Sequence, residues 1–222
     1  MITSHLLKSI SRVVPVLAFT AAVSPCAHAS ITFIPAEDTD AEHLWAFETG
    51  VAFITNNNIN EIVGADHVTV DSGDAGGEVY SFTASRHLGD LRISNGNCTF
   101  QPQLELPLTL GIIDENSRDP FLEYRASFVV RWVDFPWNDY VKTTFATGLG
   151  LNYSSKIYLM DIQRHPDSDR SNLKFNWPIQ LTLALPNHPE QELQLYIEHH
   201  SGGHVFDRGG INSLGIGYRR SF

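Results

Sequence analysis

The chain has 222 residues, two cysteines and a formal net charge of −10 at pH 7. That length holds one large or two small domains, and so acidic a balance argues against nucleic acid as a partner. Beyond the N-terminal segment no run approaches the ~20 apolar residues that a membrane-spanning helix needs, so any membrane residence must come from strands.

Residues 1–29 read as a secretory signal peptide. Lys8 and Arg12 form a positive n-region, Val13 to Val23 is mostly apolar, and Ala27-His28-Ala29 is a small-x-small cleavage site before Ser30. Its removal takes away those two basic residues and no acidic one, which moves the formal charge from −10 to −12. Cys26 lacks a lipoprotein context and leaves with the signal. Cys98 is then alone, and no intrachain disulfide frames the exported domain, residues 30–222.

Ser30 to Glu42 shows little periodicity and reads as a lead-in. From Leu44 the pattern changes: Trp45, Phe47, Val51 and Phe53 alternate with Ala46, Glu48, Gly50 and Ala52, which is a strand with one apolar face. A long polar loop follows from Asn56 to Gly77, with Asp66, Asp71 and Asp74 as solvated acids. The second strand, Glu78 to Arg92, sets Tyr80 and Phe82 against Ser81 and Thr83, and Ser94-Asn95-Gly96-Asn97 is its turn. The third carries Leu104, Leu106, Leu108 and Leu110 on one face, with an irregularity expected at Pro107.

The fourth strand places Leu122, Tyr124, Ala126, Phe128, Val130 and Trp132 opposite Glu123, Arg125, Ser127 and Arg131. The fifth sets Val141, Phe145, Leu149 and Leu151 against Lys142, Thr144 and Ala146, and the polar segment Asn152 to Ser171 follows. Within it, Ile157 to Ile162 fits either a short helix or a hairpin extension. The sixth strand has the cleanest repeat, Leu173, Phe175, Trp177, Ile179, Leu181, Leu183 and Leu185. Pro186-Asn187-His188-Pro189 turns it into the seventh, with Leu193, Leu195 and Ile197 on one face. After a loop from Gly202 to Gly210, the eighth alternates Leu214, Ile216, Tyr218 and Phe222.

Eight strands are expected, and the connections after the first, third, fifth and seventh read as the longer ones. A sandwich has no reason to alternate its loops in that way, whereas an up-and-down transmembrane β-barrel with short periplasmic turns and longer external loops does. The fold class is therefore an all-β, eight-stranded antiparallel barrel. Glu105, Glu123, Arg125, Arg131, Lys142, Lys174, Glu192 and Glu198 would pair inside it, because a barrel of this size is filled by side chains. Trp45, Trp132, Phe135, Trp137, Tyr140 and Tyr218 suit an aromatic girdle. The chain end, with Tyr218 and Phe222, resembles the terminal signature of bacterial outer-membrane barrels, from which Arg220 departs.

His199 and Ser201 continue the apolar face of the seventh strand, side by side because alternate residues share a face. With both termini periplasmic they fall at the external end, facing lipid, and Asn212 opens the outward face of the eighth strand beside them. His199, His200, His204 and Asp207 lie close in sequence, but no spacing matches a zinc motif and His200 points away from His199. Neither a metal nor a cofactor is expected.

This H-x-S pair, on this strand and face, resembles the lipid A 3-O-deacylase (PagL-like, acyloxyacyl hydrolase) family of eight-stranded outer-membrane barrels. The resemblance implies an outer-membrane esterase with Ser201 as nucleophile and His199 as general base, acting on lipopolysaccharide of a Gram-negative outer leaflet. The sequence departs from the family at two points. Asn212 stands where the family has its acid, and Gly202 where an Asn follows the serine. Asn212 or Asp207 would complete the triad, and the backbone N–H groups of Gly202 and Gly203 would serve the oxyanion. The alternative is a non-catalytic small barrel with a structural, adhesion or ligand-display role, its His and Ser bonding to headgroups.

Overall fold

The computed structural model describes residues 30–39, 41–64, 68–95, 98–167 and 169–222. The signal peptide, Asp66 and the Gly96-Asn97 turn lie outside the described residues. The wall consists of β2 (Trp45–Thr55), β3 (Gly77–Asn95), β5 (Gln103–Glu115), β6 (Phe121–Trp132), β7 (Lys142–Ser154), β8 (Leu173–Leu185), β9 (His188–Ser201) and β10 (Gly210–Ser221). These eight strands close an antiparallel barrel in the order β3-β2-β10-β9-β8-β7-β6-β5, with β3 pairing back onto β5. Closure leaves no edge along the wall, so the strands pair with one another rather than with water.

The expected alternation sets the two faces. Phe47, Phe82, Leu108, Phe128, Leu149 and Leu193 all point outward and are exposed. Large apolar side chains thus stand exposed on strand after strand, a pattern that a soluble monomer rarely shows. The inward residues are charged and paired. Arg131 donates to both oxygens of Glu105 (3.0 and 3.1 Å) and to Gln180 (2.9 Å). Arg219 reaches Glu105 (2.7 Å), Glu48 (3.2 Å) and Glu192 (2.5 Å), and Arg125 joins Glu198 (3.0 Å) to Glu123 (3.3 Å). Lys174 sits between Asp161 (3.0 Å) and Asp207. Lys142 lies on the inner face too, half-buried at the rim of the termini end.

The termini end carries its aromatics as expected, with Phe135 against Trp137 (centroids 5.2 Å apart), Trp132 against Phe145 (5.8 Å), and Tyr140 exposed. There the start of β2 and the chain end are tied by paired Trp45–Phe222 backbone bonds. At the opposite end the lumen is plugged by an apolar cluster, including Ile54, Ile113, Phe121, Tyr158, Met160 and Ile211.

Several local expectations change. Residues 30–35 form a strand, β1, which pairs along residues 89–94, while β4 (Cys98–Phe100) takes the other edge. The reason is that β3 overshoots the barrel, and its overhanging backbone needs partners on both sides. The segment is too short to show a period of its own. The loop from Asn56 holds a short helix, α1 (Ile59–Val63), capped by Asn58 and Glu61, and the undecided segment is a helix, α2 (Leu159–Arg164). The alternation of connections is not strict: residues 116–120 turn tightly between β5 and β6, whereas 133–141 span a longer turn at the termini end. At Pro107 the β5–β6 register is kept, but Leu106 and Pro107 drop out of that ladder, as a missing amide donor requires.

Candidate functional site

β9 carries His199 and Ser201 outward at the long-loop end, both half-buried. The register places Trp177 of β8 on one side of His199 and Asn212 of β10 on the other, while Ser201 lies between Phe175 and Gly210. The Trp177 ring meets the imidazole edge-on, centroids 5.9 Å apart at 87°, and its indole donates to Thr147 (2.9 Å). That wall limits how far the imidazole can turn.

Asn212 fixes the other side. His199 Nδ1 and Asn212 Oδ1 are 2.6 Å apart, and Asn212 Nδ2 donates to the backbone carbonyl of Asn57 (2.7 Å). A carbonyl only accepts, so the amide nitrogen must face Asn57 and the amide oxygen must face His199. His199 therefore carries its proton on Nδ1 when neutral, leaving the Nε2 lone pair outward. This is the tautomer a general base requires. Asn212 itself is only 3% exposed, so solvent does not compete for either bond.

Ser201 is adjacent to His199 but not hydrogen-bonded to it among the described residues. Its Oγ accepts the Gly203 amide instead (3.1 Å). Gly203 and His204 both have positive φ (60° and 58°) and turn the chain sharply after β9. A Cβ on Gly203 would also lie 2.8 Å from the Phe175 ring, so glycine suits both the φ and the close approach.

Two sequence expectations are corrected. Asp207 is not at His199: its carboxylate is turned inward to Lys174 and accepts the amides of Ser171 (2.7 Å) and Gly209 (2.9 Å). Burial pushes its pKa up, but the hydrogen bond from Lys174 and those amides outweigh that and hold it below the ordinary carboxylate range. Nor does the Gly202 amide face the site, since it donates to the Gly209 carbonyl (2.9 Å). Of the two expected oxyanion donors, only Gly203 N–H points at the site, where the serine hydroxyl now uses it. His200 faces the lumen as expected, with Nδ1 3.1 Å from the Asn152 amide and 3.5 Å from Glu123.

Sequence reasoning missed the contribution of the α1 loop. The Asn58-x-x-Glu61 capping box was legible as a helix start, and it anchors the segment whose Asn57 carbonyl holds Asn212. It also missed the groove of about 500 Å³ beside the pair, bordered by Asn58, Asn60, Arg164, His165 and Arg208.

No protein-family model and no curated protein sequence matches the chain. Among solved structures it is similar to the outer membrane enzyme PagL, with a TM-score of 0.52 and 14% identity over 80% of this chain and 99% of that one. The chain has the fold of an eight-stranded outer-membrane barrel. It is similar also to Neisserial surface protein A (TM-score 0.44, 12% identity, 81% of this chain and 97% of that one). A third similar structure is the outer membrane protein OprG from Pseudomonas aeruginosa (0.35, 8%, 80% and 96%). At 14% identity the likeness to PagL carries the architecture alone, and the chemistry has to be argued from the residues.

Proposed function

We propose that this protein is an outer-membrane esterase that hydrolyses an ester-linked acyl chain of lipid A, with the pair His199 and Ser201 working on the lipid-facing wall. The observation that carries this reading is the relay from the Asn57 carbonyl through Asn212 to His199 Nδ1, which leaves Nε2 as the basic nitrogen on the same face as a serine. A residue that merely meets headgroups at a barrel rim has no need of a buried amide to fix its tautomer. The apolar side chains exposed on the wall would put the pair at the depth where ester-linked chains of an outer-leaflet lipid begin.

In the proposed reaction, Ser201 rotates about χ1 from Gly203 toward His199, giving up one hydrogen bond at about 1 kcal/mol. Oγ attacks the acyl carbonyl while Nε2 takes its proton, and the tetrahedral oxyanion forms. The same rotation frees Gly203 N–H, which becomes a donor for that oxyanion. Collapse expels the sugar alkoxide, which takes the proton from Nε2, and leaves an acyl-Ser201. Water then repeats the sequence and releases the fatty acid. Asn212 holds the imidazole throughout but brings no negative charge to the imidazolium, so the rate should sit below that of a triad with an acid.

A mass spectrum of lipid A from cells with and without the protein tests the reading. Loss of one acyl mass is expected with the native protein and not with Ser201→Ala or His199→Asn, each still folding into a heat-modifiable barrel. Undiminished deacylation by Ser201→Ala would refute it. A second reading, a non-catalytic small barrel, draws on the bond between Ser201 Oγ and Gly203 N, and it expects identical lipid A in every strain.

A further inference from the structure

The groove beside His199 and Ser201 differs in charge from the chain around it. Arg164 at the end of α2, His165 and Arg208 in the β9–β10 loop border it, and among the described residues no carboxylate does, although the chain as a whole is acidic. The nearby acids are engaged elsewhere. Glu61 accepts the Asn58 amide (2.9 Å) and the Asn57 side chain (3.2 Å), and buried Asp161 is held by Lys174 (3.0 Å), the Gly210 amide (3.0 Å) and His165 (3.4 Å).

The two guanidinium groups are under-used. Among the described residues Arg164 makes a single hydrogen bond, to Asn58 Oδ1 (2.9 Å), and lies within electrostatic reach of Glu61, which leaves most of its five donors unused. Arg208 is exposed and makes no hydrogen bond or ion pair among the described residues. One comes from α2 and the other from the β9–β10 loop, and both border the groove that also holds His199 and Ser201. Such an approach from two directions suits a tetrahedral dianion, which planar guanidinium forks grip through paired N–H donors.

We infer that this groove is a phosphate subsite, in which Arg164 and Arg208 grip a phosphate on the sugar headgroup of the lipid whose acyl ester lies against Ser201. The subsite rests on the esterase reading for the identity of that lipid but not for its own chemistry. Its function is positional: an anchored headgroup holds the ester carbonyl at the serine and favours phosphorylated lipids over neutral ones. Arg164 and Arg208 are positioning residues, since neither touches the reacting atoms.

Binding without turnover tests this. Ser201→Ala protein in detergent micelles is titrated calorimetrically with bisphosphorylated lipid A, with the same lipid after enzymatic dephosphorylation, and with inorganic phosphate alone. The phosphorylated lipid should bind about tenfold more tightly than the dephosphorylated one, the size expected for charge-assisted bonds to one anion. Adding Arg164→Gln and Arg208→Gln should bring the two within about twofold, with barrel folding checked by gel mobility. A preference that survives both substitutions overturns the subsite. Inorganic phosphate binding as tightly as the phosphorylated lipid overturns the headgroup assignment. The two proposals separate cleanly. An arginine-dependent preference in a protein that leaves lipid A intact would keep the subsite and sink the esterase, and deacylation with no such preference would do the reverse.

Discussion

Replacing Asn212 by aspartate separates its two roles, because each side-chain terminus has one partner. The oxygen toward His199 is retained, so the imidazole keeps its orientation and tautomer. The nitrogen that donates to the Asn57 carbonyl at 2.7 Å becomes a second acceptor facing an acceptor, in a site that is 3% exposed. Leaving a buried carbonyl unsatisfied costs about 1–3 kcal/mol, and that cost should appear as earlier loss of heat-resistant mobility and faster proteolysis in the 56–76 loop. In the reacting complex the same change replaces a neutral acceptor of the imidazolium N–H by an anionic one, so the contact becomes an ion pair. A partly exposed ion pair contributes about 1 kcal/mol, or about fivefold in kcat. Asn212→Asp should thus be faster and less stable. Asn212→Leu removes both contacts and should lose about 100-fold or more, the size of a misplaced catalytic group. Acyl release from purified lipid A in mixed micelles, followed by mass spectrometry, gives the rates. If Asn212→Asp and Asn212→Leu both retain native rates with intact barrels, His199 is not a base oriented through this amide.

Two further outcomes follow from the polar interior and the loops. Arg219→Met leaves Glu48 and Glu192 in the lumen without the cation both now contact, while Glu105 keeps Arg131. Breaking a buried pair in this way costs about 3–5 kcal/mol, and the urea midpoint of refolding into micelles should fall accordingly. Asp207 is held below the ordinary carboxylate range, burial being outweighed by Lys174 and two amides. A lowered folded pKa contributes stability that is complete above the unfolded pKa and lost as pH falls through the folded one. Protection of the amides in residues 202–209, relative to their intrinsic exchange rates, should therefore be high at neutral pH and fall below the ordinary carboxylate range, and Asp207→Asn should remove that fall in protection.

The barrel was legible because its signal is local. A period of two over ten or more residues states which face is apolar, and in β8 the run Leu173 to Leu185 needs no knowledge of its neighbours. What escaped was non-local. β1 has no pattern of its own, and its pairing follows from the length by which β3 overshoots the wall. Within the site, the cross-strand meeting of His199 with Asn212 could be read from strand faces and antiparallel order. The Asn57 carbonyl could not, since a backbone group in a long loop leaves no mark in the sequence. The same holds for Arg164 and Arg208, which converge only because α2 and the β9–β10 loop fold over the same rim.

The two departures from the deacylase pattern each have a local cause, and the causes differ. At position 202 a side chain is excluded: a Cβ there would lie 1.8 Å from Asp207 Oδ1 and 2.5 Å from its carbonyl oxygen. Lys174 draws Asp207 inward, the loop closes over it through Gly202 N to the Gly209 carbonyl, and only glycine fits beneath. At position 212 the constraint is chemical, because the Asn57 carbonyl calls for a donor and His199 Nδ1 for an acceptor. An amide is the one side-chain group of that shape that supplies both without titrating. An aspartate there meets Asn57 only when protonated, without the charge for which a triad uses it, and when ionised it leaves that carbonyl unsatisfied. The asparagine is thus a solution to a loop that reaches over the site, and it keeps the orientation of the His199 imidazole while bringing it no negative charge.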